Sequence, residues 1–189
     1  MAKQDLREAK IFSLAQVVDR CIVVIEEVGG PRLVPIWIGI FEGGAIAAEL
    51  TGQEPPRPMT HDLMTSILRS AHVTMEKVVI TNLLDNTYFA EIHLRTNGNT
   101  TTVIDARPSD ALALAVRTRC PLFVSEAVFG KCPELLKPIT EDEVKNFKEE
   151  LKNMKPEDFF KDLKGKSKDK KDKDKDKDKG SEGPSPSPQ

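Results

Sequence analysis

Short apolar runs rich in β-branched residues occupy much of the first forty positions and predict β-strands. Residues 11–18 and 21–28 are rich in β-branched side chains, which favour the pleated conformation. The apolar run at 33–40 is bounded by glycine and predicts a buried strand. Pro35 lies within this run and donates no ladder hydrogen bond, so we expect it at a sheet edge or a bulge.

Two stretches then change to a helical pattern. Residues 42–50 are rich in alanine, and their apolar side chains run nearly all round, so periodicity assigns them no buried face. Thr60 is predicted to be the N-cap of a second helix, because its hydroxyl can accept a backbone N–H of the first turn. That helix is amphipathic, and the face we expect to pack on the sheet comprises Leu63, Met64, Ile67, Leu68 and Ala71. Its opposite, polar face comprises Asp62, Ser66 and Arg69.

The middle of the chain returns to strand patterns. Asp85-Asn86 and Asn97-Gly98 are typical of tight turns between paired strands. Around these turns the pattern predicts, in order, strands at 73–83, 88–94 and 100–104, a helix at 108–118 and a strand at 121–124.

The order of these elements predicts an α+β fold, in which a mixed or antiparallel sheet has short helices packed on it. The segments at 35–50 and 102–116 are alike, because in each a strand runs into a short alanine-rich helix. Antiparallel strands are predicted before both segments. The sequence therefore suggests an internal β-β-α duplication.

Composition divides the chain into three parts. Residues 1–137 are predicted to form one domain, and residues 138–163 a charged helical extension. Residues 164–189 form a tail rich in Lys and Asp and without apolar side chains. Nothing in this tail offsets the entropy of ordering it, so we expect it to be disordered. A solubilising tether is favoured over an interaction arm, since the alternating charges nearly cancel.

Charge argues against a general attraction of this molecule to nucleic acid. The segment from Lys161 to Gln189 contains ten Lys and seven acidic residues, which leaves 18 basic and 23 acidic residues, a net charge of −5, in the rest. Nucleic-acid binding relies on Lys and Arg neutralising phosphates, so such a role requires a local basic patch or bound cations. Aromatic residues, at 5% with one Trp and one Tyr, offer little for base stacking.

The sequence contains no pattern typical of membrane insertion or secretion. Its apolar runs are shorter than the ~20 residues that a transmembrane helix requires, and its first ten residues are mostly polar. The three cysteines, Cys21, Cys120 and Cys132, form an odd set without a CxxC pair. Neither a disulfide framework nor a zinc site is expected, and the protein is predicted to be cytoplasmic.

The most informative polar run is DARPSD at 105–110, at a predicted strand-to-helix junction. One interpretation is a well-capped helix: Pro108 suits the first helical position, and Ser109 and Asp110 complement the positive end of the helix dipole. The other is a site in which carboxylates hold a divalent cation and Arg107 holds a phosphate. Composition alone does not decide between them.

Further polar residues lie at the starts of the other two predicted helices. His61 has the side chain most suited to carrying protons near neutral pH, yet a single histidine is also common at helix ends. Asp62 and Glu42 are charges that a helix dipole favours in any case. The chain contains no HExxH, P-loop, GxSxG or Rossmann glycine pattern.

Together these segments resemble the bacterial bifunctional nuclease family, first catalogued as a domain of unknown function. The resemblance covers about residues 9–135 and rests on Glu42 and on the segments PIWIG at 35–39, PRPMTHDL at 56–63 and IDARPSDALALAVR at 104–117. Family members are small cytoplasmic α+β domains, and plant relatives are described as acting on both RNA and DNA. The family usually has Glu-Ala where this chain has Glu42-Gly43, and the extra glycine is expected to loosen the helix start by ~1 kcal/mol.

The resemblance implies a homo-oligomeric nuclease that hydrolyses phosphodiester bonds of DNA or RNA, for which we expect help from Mg²⁺ or Mn²⁺. On this hypothesis His61 is the general base or acid, and the phosphate is bound by Arg57, Arg107 and Ser109. The predicted catalytic residues are Glu42, His61, Asp62, Asp105, Arg107 and Asp110, and the predicted metal ligands are Glu42, Asp62, Asp105 and Asp110. The alternative is a non-catalytic oligomeric regulatory or ligand-binding module, in which the same polar motifs are structural caps and salt bridges.

Overall fold

Eight strands and four short helices make up the part of the chain that the computed structural model describes, which is residues 5–98, 100–133, 135 and 136, with Asn146 and Glu149. The strands are β1 Leu6–Val17, β2 Arg20–Glu27, β3 Arg32–Gly39, β4 Val73–Leu84, β5 Thr87–Thr96, β6 Thr101–Ala106, β7 Leu122–Ser125 and β8 Leu135–Leu136. The helices are α1 Ile40–Leu50, α2 Thr60–Ser70, α3 Pro108–Thr118 and α4 Glu126–Phe129. The predicted extension at 138–163, apart from Asn146 and Glu149, and the tail at 164–189 lie outside the described residues.

The strands form one sheet in the order β6-β5-β4-β7-β1-β2-β3-β8. Neighbouring strands are antiparallel except β4 and β7, which are parallel. Two antiparallel meanders, β1-β2-β3 and β4-β5-β6, flank β7, and each is followed by an 11-residue helix, α1 or α3. The prediction of an α+β fold with a mixed sheet is confirmed, and the two halves share the order that the sequence suggested.

Local signals placed the turns and the proline correctly. Asp85 and Asn86 both have positive φ, 47° and 61°, as a tight turn of type I′ requires. Pro35 lies opposite Val24 of β2, whereas β8 pairs only with Arg32 and Leu33. Pro35 is therefore in a stretch of β3 that has no second neighbour within the described sheet, which confirms the prediction of an edge position.

The main core lies between one face of the sheet and the helices. It includes Val23 and Ile25 of β2, Ile80 of β4, and Leu112 and Leu114 of α3, all of which are almost completely buried. Because side chains alternate along a strand, other residues of β2 and β3 face the opposite side, where a smaller cluster of Ile22, Val24 and Leu33 is buried. The helix starts are thus fixed relative to one another by a rigid sheet.

Gly43 allows α1 to lie close to β2. A Cβ atom at this position would overlap both Sγ and Cβ of Cys21, and both residues are buried. The expectation that Gly43 merely loosens the helix start was therefore incomplete. The glycine permits a close approach that alanine would prevent.

The prediction for α2 was wrong in two respects. Met59 is the N-cap and Thr60 the first helical residue; the Asp62 carboxylate accepts the Met59 backbone N–H at 2.8 Å. The apolar face also points outward, with Leu63 and Ile67 exposed and His61 the only buried residue of the helix. Polar contacts made by His61 and Asp62 with α3 set this rotation, so the predicted polar residue Asp62 faces the protein.

Two other predictions concern the environment of the protein. None of the helices in the described part of the chain is long and apolar enough to cross a membrane. All three cysteines are free in this structure, and Cys21 and Cys132 are buried.

Candidate functional site

Two helix N-termini, from the two halves of the fold, meet at the candidate site. β3 runs into α1 through Gly39, and β6 runs into α3 through Arg107; both junction residues have extended backbones, with φ of −68° and −67°. Glu42 and Asp110 are each the third residue of the helix that follows, and each is the acidic residue of its first turn. Since a helix N-terminus favours negative charge, the two halves present equivalent carboxylates.

Arg107 links these two carboxylates. Its Nε and Nη2 donate to the two carboxylate oxygens of Asp110 at 2.7 and 3.0 Å, and its Nη1 donates to Oε1 of Glu42 at 3.2 Å. The guanidinium lowers the pKa of Asp110, and the two carboxylates raise the pKa of Arg107. Three of the five N–H groups of Arg107 are engaged, and 64% of its side chain is exposed, so two donors remain for a ligand.

His61 contacts the other side of Asp110. Its Nε2 lies 3.3 Å from Oδ1 of Asp110, and it donates a hydrogen bond there in the tautomer that carries the proton on Nε2. The ring is buried between α2 and α3. Asp110 therefore bonds to a solvent-exposed guanidinium and to a buried imidazole, and the connected group is Glu42, Arg107, Asp110 and His61.

Asp62 belongs to a neighbouring ion pair. Its Oδ1 accepts from Nε of Arg117 at 2.6 Å, and Arg117, almost completely buried, also donates to the Ala113 carbonyl oxygen at 2.9 Å. Arg117, together with the Met59 N–H, lowers the pKa of Asp62. This pair ties the first turn of α2 to the last turn of α3 and so holds His61 in place. Arg117 was not among the predicted residues, although it is the only basic residue in the last turn of a largely apolar helix.

Asp105 lies away from this group. In β6, Ile104 and Ala106 pair with Ile92 and Ala90 of β5, which face the helices, whereas Asp105 pairs with Glu91 on the alternate side. Because successive side chains of a strand point to opposite faces, Asp105 is directed to the face without α3. Sequence proximity alone had grouped it with Arg107 and Asp110.

The remaining predicted residues occupy different environments. Arg57 is exposed on the segment before α2, and no side chain in the described part of the structure pairs with it. Ser109 is buried in the first turn of α3. Their roles in phosphate binding stay predictions.

The four predicted metal ligands do not form one cluster. Among the described residues no group of three or more His, Cys, Asp or Glu side chains is arranged to hold a metal ion. Glu42 and Asp110 bond to Arg107, and Asp62 bonds to Arg117. Three of the four predicted ligands are therefore already paired with a guanidinium, and Asp105 lies apart from them, so these residues do not fit a divalent metal as they stand.

Comparison of the sequence with known proteins identifies the family of this chain. Residues 23–137 match the model of the bifunctional nuclease domain. An uncharacterized protein of Mycobacterium tuberculosis (strain H37Rv) is 37% identical over 147 residues, which cover 73% of this chain and 87% of that protein.

The relatives with a named activity are more distant. Bifunctional nuclease 1 of Arabidopsis thaliana is 28% identical over 107 residues, and bifunctional nuclease 1 of Oryza sativa subsp. indica is 27% identical over 109 residues. These matches cover 56% and 57% of this chain but only 33% of each plant protein. Residues 23–137, which match the family model, contain Glu42, His61, Arg107 and Asp110, and the chain belongs to the bifunctional nuclease domain family.

Proposed function

We propose that this protein is a nuclease that hydrolyses phosphodiester bonds in DNA or RNA at the group formed by Glu42, Arg107, Asp110 and His61. The observation that carries the proposal is Arg107, which is oriented by two carboxylates and still has free donors in solvent. A planar guanidinium held in this way suits the non-bridging oxygens of a phosphate. Arg57, which is exposed and unpaired within the described structure, would be a second contact to the nucleic-acid backbone.

In the proposed reaction a water oxygen attacks phosphorus, the ester P–O bond breaks, and the leaving oxygen takes up a proton. Arg107 stabilises the charge that develops on the phosphate oxygens. His61, oriented by Asp110, either accepts the proton that the attacking water loses or donates the proton that the leaving oxygen takes up, and solvent water handles the other proton. Because His61 is buried, this step requires α2 to shift enough to admit the substrate. The ion pair of Asp62 with Arg117 positions α2 rather than taking part in the chemistry.

Local charge limits phosphate binding in this site. Glu42, Asp110 and Arg107 together carry one net negative charge while His61 is neutral. A cation bound nearby would offset this repulsion of an incoming phosphate. On this ground we propose that Mg²⁺ or Mn²⁺ assists cleavage, with no ligand assigned.

A cleavage assay tests the proposal. Purified protein is incubated with labelled single- and double-stranded DNA and RNA in the presence of Mg²⁺, Mn²⁺ or EDTA. The same assay is run on Arg107→Ala, His61→Ala and Arg69→Ala proteins that are shown to be folded; Arg69 is an exposed arginine on α2 and serves as the control. We expect the first two substitutions to lower the rate of cleavage by ~10²-fold or more and the third to leave it unchanged. Equal cleavage by all proteins would identify a contaminant and exclude this site.

The alternative function is a non-catalytic regulatory or ligand-binding module. It is favoured by the pairing of Glu42, Asp62 and Asp110 with arginines, which is what structural salt bridges require. On this alternative the wild-type protein cleaves none of the four substrates with either cation, and Arg107→Ala changes only thermal stability. Wild-type cleavage that is lost in Arg107→Ala excludes it.

We also propose a cytoplasmic homo-oligomer. Three free cysteines, two of them buried, suit a reducing compartment. An exposed apolar surface on α2 supports self-association.

A further inference from the structure

A pocket lies at the end of the sheet where the β1–β2 turn meets the junction between β3 and α1. Its volume is about 300 Å³, and the described residues that line it are Asp19, Arg20, Trp37, Ile38 and Gly39. Arg20 pairs directly with Gly39, so the pocket lies where the first residue of β2 meets the last residue of β3. A volume of this size is at the lower end of the range for small-molecule sites.

The pocket adjoins the proposed catalytic group through Gly39. This residue lines the pocket and is also the N-cap of α1. The Glu42 carboxylate folds back over Gly39 and fills the space that a side chain would take there. Because Nη1 of Arg107 donates to the same carboxylate, a molecule in the pocket lies beside the groups proposed to hold the scissile phosphate.

The lining of the pocket combines an aromatic ring with two charges that cancel. Trp37 is the single tryptophan of the chain, and it is half-buried against the apolar cluster on its face of the sheet. Arg20 is exposed, and no carboxylate in the described part of the chain forms an ion pair with it. Since Asp19 offsets the charge of Arg20, the pocket does not add to the net negative charge of the catalytic group. A ring and a free guanidinium suit a flat base and a phosphate, respectively.

A second aromatic ring stands at the same junction. Phe41 comes two residues after Gly39, directly precedes Glu42, and is 87% exposed. The buried residues of α1 are Gly43 and Ile46, so Phe41 takes no part in fixing the helix to the sheet. An exposed phenyl ring next to a carboxylate of the catalytic group offers a stacking surface for a base.

The turn Val18-Asp19, which connects β1 to β2, is under backbone strain. Val18 has a φ of 53°, in the left-handed region that β-branched residues rarely adopt, and it is 89% exposed. Such strain persists only where the surrounding structure fixes the conformation, and it is concentrated at functional sites. The pairs of Arg20 with Val17 and with Gly39 hold the turn, which keeps Asp19 and Arg20 at the pocket.

We propose that this pocket binds the unpaired base of a nucleotide that adjoins the scissile phosphate, so that the substrate is single-stranded DNA or RNA. The base stacks on Trp37, the neighbouring base stacks on Phe41, and Arg20 contacts a flanking phosphate. A base inside a duplex is paired and stacked, and it enters a pocket of this kind only if it is first flipped out. The inference rests on the proposed function, because the catalytic group defines which phosphate is cleaved.

Intrinsic fluorescence tests the pocket directly, since Trp37 is the sole source of tryptophan emission. The full chain is titrated in EDTA with a short single-stranded DNA of mixed sequence and with the duplex made from it. We expect the single strand to change the emission in a saturable way and the duplex to leave it unchanged. Arg20→Ala and Phe41→Ala, which alter exposed side chains, should each raise Kd by ~10-fold. Arg69→Ala is the control, since this exposed arginine lies in the last turn of α2.

The binding measurement separates this inference from the proposed function. A Trp37 response without cleavage supports the pocket and excludes the nuclease, whereas cleavage without a Trp37 response overturns the pocket. Equal affinity for strand and duplex overturns the inference, as does a folded Arg20→Ala protein that binds like the wild type. Where cleavage occurs, Arg20→Ala should raise KM for single strands by ~10-fold and leave kcat unchanged, because it removes only binding.

Discussion

At the N-terminus of α3, Arg107 combines three hydrogen bonds with a side chain that lies mostly in solvent. Asp110 and Glu42 hold its orientation, and both carboxylates are favoured where they stand because each lies in the first turn of a helix. Lysine would keep the charge but not the fork geometry that bonds to both oxygens of Asp110. The free N–H groups at position 107 are therefore held in a fixed orientation only when the residue is arginine.

Replacement of Arg107 separates catalysis from stability. We expect Arg107→Ala to lower kcat/KM for nucleic-acid cleavage by ~10²-fold, the usual effect of losing one group that stabilises transition-state charge. The free energy of unfolding should fall by less than about 1 kcal/mol, because the Arg107 side chain is largely exposed and water screens its ion pairs. Arg107→Lys should restore most of the stability and little of the activity. A large loss of stability with unchanged cleavage would contradict a catalytic role.

Adjacent glycines in α1 should respond in opposite ways to alanine. Gly43→Ala forces a methyl group into Cys21 and is expected to cost about 1–3 kcal/mol of unfolding free energy. Gly44 has open space around its Cα, so Gly44→Ala should stabilise the helix by up to ~1 kcal/mol. Urea denaturation measures both. Equal effects at the two positions would show that helix propensity, rather than the contact with Cys21, governs this turn.

The sequence predicted part of this site because charged residues gather at the starts of helices. Glu42, His61, Arg107 and Asp110 were chosen on that basis, and they do come together. Arg117 was missed, since its partner Asp62 is 55 positions away and only the packing of α2 on α3 brings the two side chains together. Asp105 was grouped with its neighbours, although the alternation of β6 turns it to the other face of the sheet.

Helix α2 shows that a periodic pattern can predict a helix without predicting which way its apolar face points. Its amphipathicity correctly predicted a helix, and α3 begins and ends where the sequence placed it, at Pro108 and Thr118. The pattern shows that an apolar face needs cover, but not whether the cover is the helix's own sheet or another chain. The polar contacts of His61 and Asp62 decided the orientation, and both depend on tertiary structure.

Ion pairs hold the four-residue helix α4 against the sheet. The sequence pattern did not predict this helix. Arg32 of β3 donates to Glu27 at 2.8 and 2.7 Å and to Glu126 of α4 at 2.5 and 3.1 Å, and its guanidinium lies 4.0 Å from the centre of the Phe129 ring. Arg32, and then Arg7, lower the pKa of Glu126 to about 2, and Arg32 also lowers the pKa of Glu27. The network joins β1, β2, β3 and α4 at one end of the sheet.

This network should make the protein sensitive to acid. A carboxyl group whose pKa is depressed by folding stabilises the protein above its ordinary pKa, and that contribution is lost as the pH falls toward the folded value. For Glu126 the loss occurs between about 4.5 and about 2. We expect the Tm of the wild type to fall more steeply over this interval than that of Glu126→Gln. Thermal melts across the interval, with exposed Glu54→Gln as control, measure the difference; parallel curves for all three proteins would contradict it.

For the whole molecule, the two meanders and their helices explain why the site lies where it does. Each half contributes one helix N-terminus and one carboxylate, and Arg107 joins them. The sequence indicated that the halves are alike, because the similarity is local. It did not indicate that β7 pairs with both β1 and β4, since contacts between distant segments leave no periodic signal.

Self-association of the proposed homo-oligomer through the exposed face of α2 should also appear in thermal stability. A partner that binds only the folded state stabilises it by mass action, so the Tm of the wild-type protein should rise with protein concentration. The Tm of Ile67→Glu should not depend on concentration. Scanning calorimetry at several concentrations measures both, and a wild-type Tm that is constant over the range would contradict the homo-oligomer.

The central position of β7 has a consequence for biosynthesis. This strand is among the last segments of the domain to leave the ribosome, yet it is the one that hydrogen-bonds to β1 on one side and β4 on the other. Each meander can form from neighbouring residues as soon as it is translated, whereas the long-range pairing must wait for Leu122–Ser125. A nascent chain that stops before Leu122 therefore holds two unjoined halves with open inner edges. Those edges are exposed to aggregation until four more residues are added.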